Sequence, residues 1–167
     1  MAKELIVYFS RKGNNYVNGS IKSLSVGNTK VAAQMIQELT GADMFEIEPV
    51  TEYDVDYNKC IEEAKRDKNS NARPEFKNAP DSISEYEVVY IGYPNYWGTM
   101  PMHVCTFLEK YDFTGKTIKP FCTHEGSGMG NSEKDIQKLC PGAKIEKGLA
   151  IHGGSVSKEK GAVEKWI

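Results

Sequence analysis

The sequence predicts an α/β fold in which helices cover both faces of a parallel sheet. Five runs with strand-like composition alternate with five runs of helical periodicity, and strands that alternate with helices form parallel sheets. The first run, residues 4–9, is apolar without polar alternation, as expected of a central strand buried on both faces. With 167 residues, the chain is expected to form one domain over residues 1–167.

The first half of the chain contains two of the predicted strands and two of the helices. Between the first strand and the first helix, residues 11–26 are polar and rich in Gly and Asn, and Asn18-Gly19 favours a short hairpin within them. Gly41 is a typical helix end. The predicted elements are strands at 4–9 and 42–47, a helix from Val31 to Gly41, and a thin amphipathic helix at 57–68.

The second half continues the alternation. Pro101 is well suited to the first turn of a helix, whereas Pro120 is atypical of a central strand. Ser155 or Ser157 is expected to cap the last helix. The predicted elements are strands at 88–91, 117–122 and 144–151, helices at 102–108 and 132–139, and a final helix with Val163, Trp166 and Ile167 facing inward.

Composition and charge exclude several classes of function. The net charge of -2, without a basic stripe, argues against a nucleic-acid partner. No apolar run approaches the roughly 20 residues of a membrane span, and the first residues lack a signal-peptide pattern, so a cytoplasmic protein is expected.

Cysteine and histidine spacing predicts no metal site. Cys60, Cys105, Cys122 and Cys140 lie far apart without a C-x-x-C pair, which argues against both a redox pair and a zinc site. The last three stand in apolar surroundings and are expected to be buried thiols. His103 and His152 also lack the spacing of metal ligands.

Three loops of unusual composition follow the first, third and fourth predicted strands. They are residues 10–29, 93–101 and 123–130. Because the carboxyl ends of parallel strands meet at one edge of a sheet, where ligands bind in such folds, the three loops are expected to form one site.

The first loop has the composition of an anion site. Ser10 and Gly27-Asn28-Thr29 bracket a strand-to-helix turn, where free N–H groups and the helix dipole favour a phosphate. The alternative is that Asn28 or Thr29 only caps the helix. The pattern G-x-x-x-x-G-K-[ST] is absent, which argues against a nucleoside triphosphatase.

The other two loops favour a flat ligand. Tyr96 and Trp97 suit stacking on a planar cofactor, although a surface patch is the alternative. Residues 126–130 are close to the dinucleotide pattern G-x-G-x-x-G, but they follow the wrong strand and Asn131 stands where the third glycine belongs. His124 and Glu125 form either an acid–base pair or a solvated loop pair.

The motifs on these loops resemble those of the flavodoxins. The flavodoxin phosphate loop, Ser/Thr-x-Thr-Gly-Asn-Thr, is matched by Ser10 and, after a break, by residues 26–29, so residues 11–26 look like an insertion. Residues 92–98 and 123–128 resemble the two loops that hold the flavin ring. The resemblance covers essentially the whole chain. It implies a flavodoxin-like three-layer sandwich with a five-stranded parallel sheet in the order 2-1-3-4-5, and it implies bound FMN.

The resemblance also implies which residues contact the cofactor. Tyr96 and Trp97 are expected to pack on the ring, and no side chain is expected to be catalytic. The implied phosphate contacts are Ser10, Val26, Gly27, Asn28 and Thr29, and the implied ring contacts are Pro94, Asn95, Tyr96, Trp97, Gly98, Thr123, His124, Glu125, Gly126, Ser127 and Gly128.

Two departures from the long-studied flavodoxins bear on function. The second ring loop contains no aromatic residue, so one face of the ring is expected to be open or covered by Tyr16 or Trp97. Electron-transferring flavodoxins tend to surround the ring with acidic residues, but here only Glu125 lies in the ring loops. The very low redox potential of the family is therefore not assumed for this chain.

Three functions remain as hypotheses. The first is a flavodoxin that shuttles single electrons between redox proteins, with a reductase and an acceptor as partners. The second is an FMN-dependent NAD(P)H oxidoreductase of the quinone type, favoured by an open ring face but without a nicotinamide fingerprint. The third is a binding module without cofactor, against which the Gly-Asn-Thr and Tyr-Trp loops argue.

Overall fold

The computed structural model describes residues 3–167, so Met1 and Ala2, the start of the predicted domain, lie outside the described residues. The predicted α/β architecture is confirmed. The strands are β1 (Lys3–Tyr8), β2 (Gly13–Val17), β3 (Ser20–Leu24), β4 (Asp43–Glu46), β5 (Tyr86–Pro94), β6 (Thr117–His124), β7 (Lys144–Ile145) and β8 (Leu149–His152). The helices are α1 (Asn28–Thr40), α2 (Tyr57–Asn69), α3 (Met102–Lys110), α4 (Ser132–Leu139) and α5 (Lys160–Trp166).

The main sheet is parallel and has the order β4-β1-β5-β6-β7, with β8 also paired to β6. This is the predicted order 2-1-3-4-5. One face buries Ile6 and Tyr90 with Ile36 of α1 and Val163 of α5. The other face buries a separate cluster that includes Phe107 of α3 and Ile136 of α4. Helices therefore cover both faces, and the central strands are apolar on both sides for that reason.

The predicted fifth strand, residues 144–151, is interrupted. It forms β7 and β8, which both pair with β6. The amide of Glu146 donates to the Ile118 carbonyl, so alternate residues of β6 direct their backbone groups towards this side. Pro120, which has no amide hydrogen, lies against the break near Gly148. A proline is tolerated in this inner strand because its neighbour is discontinuous there.

Several predicted details of the helix ends differ from the structure, and α2 and α3 run one and two residues further than predicted. Helix α1 begins at Asn28, three residues before its apolar periodicity, and Pro101 lies at the N-cap of α3. Ser155 and Ser157 do not cap the last helix: they belong to a 3₁₀ helix, Gly153–Lys158, and Glu159 precedes α5. The predicted inward residues of α5 are confirmed, since Val163 is buried and Trp166 and Ile167 pack against the core.

The loop after β1 contains the hairpin that Asn18-Gly19 favoured. Strands β2 and β3 pair antiparallel, and the φ angles of Asn18 and Gly19 are 50° and 87°, as in a tight two-residue turn. The four cysteines are buried. Over residues 3–167, no helix is both long enough and apolar enough to span a bilayer.

Candidate functional site

The three loops meet around one cavity of about 340 Å³ at the carboxyl end of the sheet. Its volume lies within the range of small-molecule sites. Ten of the sixteen predicted contact residues line it: Asn28, Thr29, Pro94, Asn95, Tyr96, Trp97, Thr123, His124, Glu125 and Ser127. The structure thus brings together residues from all three predicted loops.

Six predicted contact residues do not line this cavity. Gly98, Gly126 and Gly128 lie in its loops but outside its wall. Ser10, Val26 and Gly27 line a neighbouring cavity of about 460 Å³, together with Lys30 and residues that follow β4. The start of α1 therefore separates the two cavities.

The start of α1 has free backbone donors. The Ser10 Oγ accepts a hydrogen bond of 3.0 Å from the Lys30 amide, whereas the amides of Asn28 and Thr29 have no acceptor among the described residues. The N-cap residue is Gly27, and neither the Asn28 nor the Thr29 side chain caps the helix, so that alternative is wrong. These amides point to an anion site at a helix N-terminus.

Gly27 is required by the close packing of this turn. A Cβ atom at Gly27 would lie 2.2 Å from the Ser10 Oγ and 2.6 Å from the Arg11 carbonyl oxygen. Thr29 is buried, and its hydroxyl lies 2.7 Å from the Thr123 hydroxyl in a hydrogen bond. The first loop is therefore fixed to β6 at the cavity wall.

Tyr96 and Trp97 lie in a tight turn with an unusual backbone. The Tyr96 amide donates to the Thr99 carbonyl at 2.8 Å, and the φ angles of Trp97 and Gly98 are 58° and 88°. Positive φ at both central residues is typical of Asn-Gly rather than Trp-Gly. Trp97 is 41% exposed, so burial in the core does not explain its place there.

Helix α2 holds Trp97 in place. The indole Nε1 donates to the Ile61 carbonyl at 2.8 Å, and the Lys65 ammonium lies 5.0 Å from the ring centroid. The Lys68 ammonium donates to the Trp97 carbonyl. Since Ile61 also lines the cavity, α2 and the aromatic turn form one wall.

Asn95 joins the second and third loops. Its side-chain amide donates to the Gly128 carbonyl at 2.8 Å, and its oxygen accepts from the Gly98 amide at 2.9 Å. The Asn131 amide donates to the Gly98 carbonyl at 2.7 Å. These bonds fix the loops relative to each other before any ligand binds.

The Tyr96 hydroxyl is buried and has no hydrogen-bond partner among residues 3–167. Burial first, and then the neighbouring Cys60, raise the Tyr96 pKa far above its usual value, so it remains a neutral donor. Burial likewise raises the pKa of the Cys60 thiol to about 11. A buried donor without a partner in a cavity wall favours a ligand with a polar atom.

His124 and Glu125 have separate partners. The His124 Nδ1 accepts from the Gly126 amide at 2.9 Å, and burial followed by the nearby His152 lowers the His124 pKa. Glu125 accepts from the amides of Asn18 and Gly154 at 2.5 Å and 3.0 Å. The acid–base alternative is therefore not supported, and Glu125 holds the hairpin tip.

Sequence reasoning missed one wall of the cavity. Tyr16, suggested as a cover, does line it, and its ring stacks on that of Tyr57 with centroids 6.1 Å apart. The missed residues are Arg11, Asn15, Tyr57, Cys60, Ile61, Ala64 and Gly153. Four of them share the apolar face of α2, which periodicity identified, but periodicity does not say what a face packs against.

One protein family and several solved flavoprotein structures are similar to this chain. The family model described as Flavodoxin matches residues 20–167. The crystal structure of a candidate flavoprotein from Bacteroides uniformis ATCC 8492 is 30% identical, with a TM-score of 0.77, and the match covers 99% of this chain and 97% of that one. A similar protein from Bacteroides eggerthii DSM 20697 is 28% identical, with a TM-score of 0.73 and 98% of each chain covered.

A more distant structure shares the fold. The flavoprotein from Lactobacillus acidophilus NCFM, in complex with FMN, is 21% identical with a TM-score of 0.66, and the match covers 95% of this chain and 98% of that one. No curated protein matches this chain.

Proposed function

The chain belongs to the flavodoxin family, and on that premise we propose that it binds FMN in the cavity and carries single electrons between redox proteins. FMN supplies the redox chemistry when bound, and the protein's residues bind it, orient it and exclude water. The proposed partners follow from this role. An electron carrier takes electrons from a donor protein and then passes them to an acceptor protein.

The residues present fit FMN. The free amides of Asn28 and Thr29 suit a phosphate, and the buried Tyr96 hydroxyl suits a polar atom of the ligand. Trp97 and the Tyr16–Tyr57 pair supply aromatic surface for a planar ring. We assign the phosphate to the first loop and the ring to the other two.

The aromatic lining of the cavity is the observation that favours a carrier over a reductase. Tyr16 of β2 and Tyr57 of α2 stack on each other in the same cavity wall as Trp97. Hydride transfer needs an open ring face on which a second planar substrate can stack, and these side chains restrict such a face. Electron transfer between proteins needs only an accessible edge of the ring.

A reductive titration of the FMN-loaded protein tests the proposal. We expect reconstitution to give a protein-bound flavin spectrum, and stepwise reduction with dithionite to accumulate a one-electron-reduced state with a long-wavelength absorption band. Absence of bound flavin would refute the cofactor. Steady consumption of NADH or NADPH with a quinone, without an added reductase, would instead establish the oxidoreductase.

A further inference from the structure

The hairpin insertion and α2 carry an excess of positive charge beside the cavity. Between Glu4 and Glu38 the sequence has no acidic residue. Residues 11–26 and 54–69 together contain seven basic and five acidic side chains, in a protein of net charge -2. One of the basic residues, Arg66, lines the separate cavity beside His103. The other six are Arg11, Lys12, Lys22, Lys59, Lys65 and Lys68.

Several of these cations adjoin the cavity. Arg11 lines its wall, and its guanidinium is fixed by the carbonyls of Asn14 and Asp54 at 2.9 Å and 2.8 Å. Lys65 and Lys68 contact Trp97 on the same wall. These three cationic groups are held by backbone carbonyls and by the Trp97 ring, and carboxylates do not hold them.

The positive charge is not neutralised by ion pairs. Within residues 3–167, no carboxylate oxygen lies within 4.0 Å of a side-chain nitrogen of Arg11, Lys12, Lys22, Lys65 or Lys68. Among the acids of residues 54–69, Glu63 and Asp67 line a different cavity, beside His103, together with Arg66. Asp54, Asp56 and Glu62, and Glu125 in the cavity wall, offset part of the positive charge.

The same surface exposes large apolar side chains. Tyr16, Ile21 and Trp97 are 44%, 48% and 41% exposed. Tyr16 and Ile21 are directly opposed in the hairpin, so their side chains share one face. Aromatic residues and arginine at the centre of a patch, with charges around them, are the composition of a protein-binding surface.

We propose that this basic and aromatic surface, formed by the hairpin, α2 and Trp97 around the cavity, docks a redox protein with an acidic patch. The proposal rests on the proposed electron-carrier function. The proposed docking surface is positively charged, whereas flavodoxins whose ring is surrounded by acidic residues would present a negatively charged surface to a partner. Complementary charge would steer the partner to the cavity, where the edge of a bound flavin is accessible.

Stopped-flow oxidation of the reduced, FMN-loaded protein tests this, with an acidic b-type cytochrome and a basic c-type cytochrome as oxidants. For the acidic oxidant, we expect the rate constant to fall roughly tenfold as ionic strength rises from about 0.01 M to about 0.15 M. For the basic oxidant, we expect the opposite slope.

The Lys22→Glu variant should lower the low-salt rate with the acidic oxidant roughly twofold or more and raise the rate with the basic one. Lys22 is exposed, and within residues 3–167 its ammonium group has no ion pair and lies outside both cavities at the start of α1, so FMN binding should not change. The matched control is Lys138→Glu, exposed at the far end of α4, which should leave both rates unchanged.

Three outcomes would overturn the proposal. One is a rate with the acidic oxidant that rises with salt, or that the hairpin variant leaves unchanged. Another is reduction of the bound flavin by NADPH at a rate that salt and the variant lower, which would assign the surface to an anionic dinucleotide. Failure to bind FMN, seen in the absorption spectrum before any rate is measured, would refute the proposed function itself and this proposal with it.

Discussion

At the residue scale, Trp97 is the clearest sign of a binding role. A bulky residue with positive φ costs about 1–2 kcal/mol relative to ordinary backbone. Trp97 adopts φ 58° and is held by its indole bond to Ile61, yet 41% of it remains exposed. Such strain persists where the surroundings enforce it, and it is often found at functional sites.

Trp97→Ala should therefore weaken FMN binding more than folding. We expect a loss of about 1–2 kcal/mol of binding free energy, or roughly tenfold in Kd, from the missing aromatic surface. Spectral titration with FMN and urea unfolding of the apoprotein measure the two effects. Trp97→Phe, which keeps a ring but not the indole donor, is the control. An equal loss of stability in the apoprotein would make Trp97 a purely structural residue.

Thr29→Ala tests the phosphate assignment. We expect the variant to bind FMN more weakly by roughly tenfold, because the first turn of α1 is disturbed where the anion would sit, and to bind riboflavin almost unchanged. The loss of the hydrogen bond between Thr29 and Thr123 should weaken FMN and riboflavin alike. The ratio of the FMN affinity to the riboflavin affinity therefore isolates the effect on the phosphate. Thr29→Ser, which keeps the hydroxyl, is the control, and equal weakening of both ligands would contradict the assignment.

His103 predicts a pH dependence of stability. Burial lowers its pKa from 6.5 to about 4 in the folded protein, and among the described residues its Nδ1 has no hydrogen-bond partner. Because the unfolded chain takes up the proton at a higher pH, stability is fully present above pH 6.5 and falls as the pH drops towards 4. The full effect is about 3 kcal/mol.

His103→Leu should flatten this dependence. Urea unfolding of apoprotein at a series of pH values would show wild type losing stability relative to the variant below about pH 6.5. If the unfolding free energies of the two proteins changed in parallel between pH 4 and 6.5, burial would not lower the pKa of the His103 imidazole.

At the scale of elements, the hairpin closes one side of the cavity and is held at both ends. Glu125 binds the amide of Asn18 at its tip, and Arg11 binds the carbonyls that precede α2 at its base. Gly154 allows the tip to approach, since a Cβ there would lie 2.0 Å from the Asn18 side-chain oxygen. The insertion that interrupts the phosphate loop thus becomes a wall of the site.

Glu125→Gln should loosen this wall. The two carboxylate oxygens accept from different amides, so a glutamine with one acceptor oxygen loses one bond and weakens the other through the lost charge. Such bonds are worth about 1.5–3 kcal/mol each when the acceptor is ionised. We expect faster hydrogen exchange in residues 13–24 and several-fold faster FMN release. Glu146→Gln, at the other edge of the sheet, is the control. Unchanged exchange in the hairpin would show that Glu125 does not hold it.

At the scale of the whole molecule, the cavity is built from segments far apart in the chain. A ligand that contacts all of them binds only the folded state and raises its stability. At an FMN concentration of about 100 times Kd, this amounts to about 2.7 kcal/mol, or roughly 5–10 °C in Tm for a domain of this size. A calorimetric scan with and without FMN measures it, and an unchanged Tm would contradict binding to the folded cavity.

The sequence by itself determined the fold class and the edge of the sheet where the cavity lies. Apolar runs such as residues 4–9 specify strands buried on both faces, and the three polar loops follow strands whose ends must share an edge. The resemblance to the flavodoxins added the sheet order, which is confirmed, and sixteen contact positions, of which ten line one cavity. Asn18-Gly19 was also sufficient to predict the hairpin of β2 and β3, because the geometry of a two-residue turn depends on those two residues.

Only the tertiary structure decided what those elements pack against. The apolar face of α2 is visible in the sequence, but its place in the cavity wall depends on where the helix lies in the fold. The break in the strand opposite Pro120 and the bond between Glu125 and the hairpin also depend on contacts between distant segments. Local composition sets what a segment can form. Contacts between distant segments are set by the packing of the whole chain. This packing places the hairpin and α2, with their basic residues, in the wall of the cavity.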